Sequence, residues 1–68
     1  MKRILSAREI EVLELIAKGC KNLEIALVLE LQEVTIRFRI GKILKKLDAK
    51  NRTEAACYAI KNGLIQDR

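Results

Sequence analysis

The chain has 68 residues, half of them hydrophobic, with 14 basic against 9 acidic side chains and a net charge of +5. That length fits one domain at most, and a core so small leaves no room for a large cavity. With no histidine and only two cysteines, the chain lacks the ligand clusters of a metal centre. No apolar run reaches the roughly 18 residues that span a bilayer.

Leu, Ile, Ala, Glu and Lys dominate the composition and proline is absent. These residues form helices or are tolerated in them, so the expected class is all-α. Residues 34–40 alternate apolar and polar side chains as a strand would. No second such run exists to pair with, and a lone strand is unstable, so the segment reads as helix. Cys20 and Cys57 are not in a CxxC pair. Without a secretory leader they are expected to be reduced thiols of a cytoplasmic protein.

Residues 1–4 read as a short leader. Ser6 and Glu9 have the spacing of a capping box, with Leu5 and Ile10 placed as a hydrophobic staple. A first helix therefore runs over about 7–18, with Ile10, Leu13 and Ala17 in one apolar line and Val12 and Ile16 beside it. Gly19 stops it, because glycine takes the left-handed position after a helix without strain. A second helix covers about 22–29. It is apolar nearly all round through Leu23, Ile25, Ala26, Leu27, Val28 and Leu29, which predicts that it is sandwiched.

A third helix spans about 33–47. Ile36, Ile40, Ile43, Leu44 and Leu47 recur at spacings of three and four and form one stripe. The short link from the second helix makes a helix-turn-helix, whose second member is free to enter a groove. Residues 31–52 carry seven cations against two acids, while the segments on either side are balanced. The whole excess of charge thus sits on this helix and its exit, and a polyanion is the natural partner. Asn51 and Glu54 repeat a capping box. They open a fourth helix over about 52–62, closed by Gly63, with Ala55 and Ala59 small enough for close packing.

Six pieces in order carry a resemblance. They are Leu5, Ser6, Arg8, Glu9, Glu11, Val12 and Leu13; Ala17 with Gly19; Glu24, Ile25 and Ala26; Thr35, Ile36 and Arg37; Lys46 and Leu47; and Asn51 through Ala55. Together they resemble the LuxR/GerE-type DNA-binding domain over about residues 5–65. The run from Ala55 to Ile60, followed by Gly63, Leu64 and Ile65, is most similar to the quorum-sensing branch. Phe38 beside Arg37 points the same way.

The resemblance implies a four-helix helix-turn-helix domain of a bacterial transcription regulator that binds double-stranded DNA as a homodimer, on an inverted-repeat site. RNA polymerase is a further expected partner, and nucleoid association in the cytoplasm follows from DNA binding. In that family the domain usually follows a sensory or receiver domain. The chain is therefore expected to be an excised C-terminal domain or a stand-alone regulator. It departs from the family at several places: Lys21 and Gln32 stand where capping serines are usual, Leu23 where a lysine is frequent, Arg39 where a histidine is, Glu30 where a glycine often turns the chain, and Val34 at a usually polar position. A lost cap typically costs about 1 kcal/mol.

With the third helix in a major groove, Val34, Arg37 and Phe38 are the expected base readers. Arginine matches the O6/N7 edge of guanine, and the apolar pair suits thymine methyl groups. The plainer readings are a phosphate contact for Arg37 and packing for the other two. Gly41 shares the outward side. Thr35, Arg39, Lys42, Lys45, Lys46 and Arg52 are phosphate candidates; the resemblance supports Thr35 and Lys46 in particular. Ala56, Cys57 and Ile60 are the expected dimer contacts on the fourth helix, in a dimer that is weak without DNA and strengthened by two half-sites. No metal, cofactor or catalytic residue is expected, because no carboxylate pair, Gly-rich loop or nucleophile with a base is present. The competing reading is a protein-interaction module on the same fold that inhibits a full-length regulator by heterodimerisation.

Overall fold

A computed structural model describes residues 5–66; the leader at residues 1–4 lies outside them. The elements are α1 (Ala7–Ala17), α2 (Asn22–Leu29), α3 (Glu33–Leu47) and α4 (Arg52–Lys61). The fold is all-α. α1 and α4 end one residue earlier than the sequence suggests, with Lys18 and Asn62 as their caps. Among the described residues, no helix is long and apolar enough to cross a membrane.

The start of α1 is set locally. The Glu9 N–H donates to Ser6 Oγ at 3.2 Å, and the Ser6 N–H donates to Glu9 Oε1 at 2.8 Å. Leu5 is buried beside this box and Ile10 is half-buried, as a staple requires. At α4 the Glu54 N–H donates to Asn51 Oδ1 at 2.8 Å. The return bond expected from Asn51 goes elsewhere: Glu54 Oε1 accepts from the Lys50 N–H at 2.6 Å. α2 and α3 have no side-chain cap at Lys21 or Gln32. Glu24 still accepts from the Lys21 N–H at 2.6 Å. The reciprocal bond is absent because an ammonium has no acceptor.

All four helices close the same way. The N–H immediately after a left-handed residue reaches back five residues: Cys20 to Leu15, Leu31 to Ala26, Ala49 to Leu44 and Leu64 to Ala59, at 2.8–3.0 Å. Each closure needs one left-handed residue. Gly19 and Gly63 supply it at φ +91° and +71°, but Glu30 and Asp48 adopt φ +58° and +54° with a Cβ in place. Left-handed backbone costs an ordinary residue roughly 1–2 kcal/mol, less for aspartate. Glu30→Gly is therefore expected to stabilise the domain by about 1 kcal/mol and to raise Tm by ~4–8 °C. Asp48→Gly should gain less. Thermal melts followed by circular dichroism test the order; an unchanged or lower Tm for Glu30→Gly counts against it.

The core is built from Leu5, Val12, Leu13, Ile16, Ile25, Ala26, Ile36, Ile40, Ile43, Leu47, Ala55, Ala56, Ala59 and Ile65. The stripe of α3 is buried as its periodicity predicts, with Leu44 at its edge. α1 is turned slightly from expectation: Val12, Leu13 and Ile16 centre its buried face, while Ala17 is exposed. α1 packs mainly on α4, and α2 on α3.

The expectation for α2 fails. Only Ile25 and Ala26 are buried there, while Leu23, Leu27 and Val28 are 57%, 71% and 60% exposed. In a four-helix domain of this size α2 touches α3 strongly and α1 slightly, which covers one side of it and no more.

Candidate nucleic-acid interface

α3 leaves Val34, Arg37, Phe38, Gly41, Lys42 and Lys45 on the exposed side opposite its buried stripe. Its only acid is Glu33, in the first turn. Acids at a helix start and cations at its end both complement the helix dipole. Lys45 and Lys46 in the last turn are therefore favourable for the fold as well as for a polyanion.

Val34 and Phe38, one turn apart, are 60% and 70% exposed, so neither is taken up by the core. The Lys42 ammonium lies 5.8 Å from the centre of the Phe38 ring, within the range of a cation–π contact. Phe38 and Lys42 thus form one paired feature on α3. Arg37 is exposed and belongs to no ion pair among the described residues.

The phosphate candidates divide. Lys42 and Lys45 are exposed, and Thr35 and Arg39 are half-buried. The Arg39 Nε is buried without a hydrogen-bond partner, so part of that guanidinium is drawn toward the protein. Lys46 Nζ donates to Glu9 Oε1 at 3.0 Å, tying α3 to the start of α1.

Arg52, the remaining phosphate candidate, has a task inside the fold. Its guanidinium donates to Asn22 Oδ1 and, at 2.9 Å, to the Cys20 carbonyl. It therefore pins the start of α4 to the turn between α1 and α2. On α4, Ala56 is buried with the core, Cys57 is exposed and Ile60 is half-buried. All three border an open groove between α4 and the α1–α2 turn.

Glu9 is the residue that sequence reasoning missed as part of this surface. It is only 6% exposed. Burial alone raises its carboxyl, but the Ser6 N–H and the Lys46 ammonium outweigh that and hold it below its ordinary value of 4.5. It is therefore a carboxylate at neutral pH. Nothing in its local sequence announces a partner 37 residues away.

Residues 3–59 match the family of bacterial regulatory proteins described as the luxR family. The chain belongs to that family. The solved structure of the transcription factor GerE superimposes with a TM-score of 0.89 at 25% identity, covering 96% of this chain and 97% of that one. Response regulator protein VraR of Staphylococcus aureus is 43% identical over 63 residues, 93% of this chain. The uncharacterized transcriptional regulatory protein YxjL of Bacillus subtilis is 42% identical over 59 residues, 87% of this chain. The chain spans 30% and 27% of the lengths of those two relatives. It is a LuxR/GerE-type DNA-binding helix-turn-helix domain. The alanines that suggested the quorum-sensing branch have a packing reason of their own, since Ala55, Ala56 and Ala59 are all buried.

Proposed function

We propose that the domain binds double-stranded DNA by placing α3 in the major groove, and that it does so as a homodimer through α4 in a transcription regulator of the bacterial cytoplasm. The observation that carries this reading is the outer side of α3. It presents Arg37, Lys42 and Lys45 beside exposed Val34 and Phe38, a combination of charge for phosphates and chemistry for base edges. Ala56, Cys57 and Ile60, which border one groove, are the dimer contacts, and an inverted-repeat site follows from the two-fold symmetry. RNA polymerase is the further partner such a regulator meets. Quorum sensing is one signalling context for it.

The test is a salt series against random duplex and against an inverted-repeat site selected from a random library. Binding should weaken steeply with salt, by a log–log slope of about 0.9 for each phosphate neutralised, and should favour the repeat. Lys46→Ala should weaken all duplexes alike and flatten that slope by about one. A loss confined to one sequence counts against a phosphate role for Lys46.

A second reading draws on α2. Its Leu23, Leu27 and Val28 are exposed, apolar surface of the kind that marks protein contacts. The module would then inhibit a full-length regulator by heterodimerising through α4. Absence of duplex binding even at low salt would favour this reading over the first.

A further inference from the structure

We propose that Glu9 is a positioning residue for DNA: it holds the Lys46 ammonium in place so that Lys46 meets a phosphate without first being ordered. The proposal rests on the DNA-binding reading above and deepens it. Lysine is a flexible point charge, and fixing it on a phosphate normally loses the freedom of its four-carbon stem. Here part of that loss falls in folding and not in binding.

Three observations carry the inference. Glu9 is itself immobilised: its carboxylate accepts from the Ser6 N–H at 2.8 Å, and its own N–H donates to Ser6 Oγ. The pair is lopsided, because the Glu9 side chain is 8% exposed and that of Lys46 is 39% exposed. One ammonium proton therefore points inward to Oε1 at 3.0 Å, and two remain for an acceptor on the solvent side. Finally, Lys46 is the only cation of α3 held in an ion pair among the described residues. The capping box at one end of the chain thus reaches the cationic helix and fixes one of its charges.

The rival account is a clasp that only joins α1 to α3. The two accounts predict opposite signs. Removing an acid from a DNA-binding protein ordinarily tightens binding and steepens its salt dependence, because net positive charge rises. Loss of a positioning residue weakens binding and flattens the slope toward that of a chain lacking Lys46. Glu9→Gln keeps a carbonyl that can accept from Ser6 while removing the charge that holds the ammonium. Ser6→Ala serves as the control for stability, since it weakens the same cap and leaves the Glu9–Lys46 pair intact.

The experiment measures random-duplex affinity across a salt series for the wild type, Glu9→Gln, Ser6→Ala, Lys46→Ala and the Glu9→Gln/Lys46→Ala double variant. The temperature is one at which melting curves show all of them folded. The expected result is a roughly fivefold loss for Glu9→Gln, in the range for groups sharing one hydrogen-bond network. That loss should vanish in the Lys46→Ala background, and Ser6→Ala should bind as the wild type. Equal or tighter binding by Glu9→Gln overturns the proposal, and so does the same loss in both backgrounds. A wild type that fails to bind duplex overturns the DNA-binding reading and the proposal with it. A wild type that binds, with no coupling between the two residues, overturns the proposal alone.

Discussion

Truncation of Ile36 to alanine should cost roughly 2–5 kcal/mol, the range for removing a branched aliphatic from a packed core. Ile36 is fully buried, and α3, like α1, packs against all three other helices. A cavity there opens at the centre of the domain, with little freedom for collapse on any side. At ~0.05–0.15 kcal/mol per residue, a 68-residue chain has a total stability of only about 3–10 kcal/mol. The variant should therefore melt roughly 10 °C lower or more, and a loss near the upper end would unfold at room temperature a domain whose stability lies below about 5 kcal/mol. Val34, two residues away on the exposed side, provides the contrast: Val34→Ala should stay within about 0.5 kcal/mol of the wild type. A thermal melt of both variants is decisive. Similar Tm values for the two would mean that the stripe assigned to α3 does not carry the core.

What could be read from the sequence was what short range determines. The box at Ser6 and Glu9 lies within one helical turn, and its two bonds need nothing from the rest of the fold. The stripe from Ile36 to Leu47 has a period that only a helix can bury on one face, which also decided against the strand-like alternation around it. α2 was misread for a physical reason. Periodicity can place a buried face only when polar residues mark the other face, and Leu23, Leu27 and Val28 erase that mark. Their exposure depends on how few partners a four-helix domain can offer.

The cationic side of the site was legible because charge sums are local to α3. Its wiring was not. Whether Lys46 is anchored or loose depends on Glu9, and whether Arg52 is free depends on Asn22 and the Cys20 carbonyl. Those contacts cross 30 or more residues of chain. Ala56 shows the same limit, since a small residue on a helix suits a helix–helix contact whether the partner is α1 or a second copy.

Arg37→Ala is expected to separate recognition from folding. Arg37 is exposed beside buried Ile36, so its removal should leave Tm within the range of ordinary surface changes, about 0.5 kcal/mol. Its effect on DNA depends on which atoms it meets. A bidentate arginine on guanine contributes about 1–3 kcal/mol of discrimination, which corresponds to a loss of roughly 5- to 150-fold on the selected inverted repeat. On random duplex only the generic charge is lost, so the fall there should be smaller and the salt slope should drop by about one. The ratio of the two affinities is thus the quantity that moves. Arg37→Lys sharpens the test, because lysine restores the charge but not the planar fork. If Arg37 reads a base, the lysine variant recovers random-duplex binding and not the preference for the repeat. Full recovery of that preference by lysine, or equal losses on both duplexes, would reduce Arg37 to a phosphate contact. Discrimination would then rest on Val34 and Phe38, whose apolar surfaces can select thymine methyl groups without any hydrogen bond.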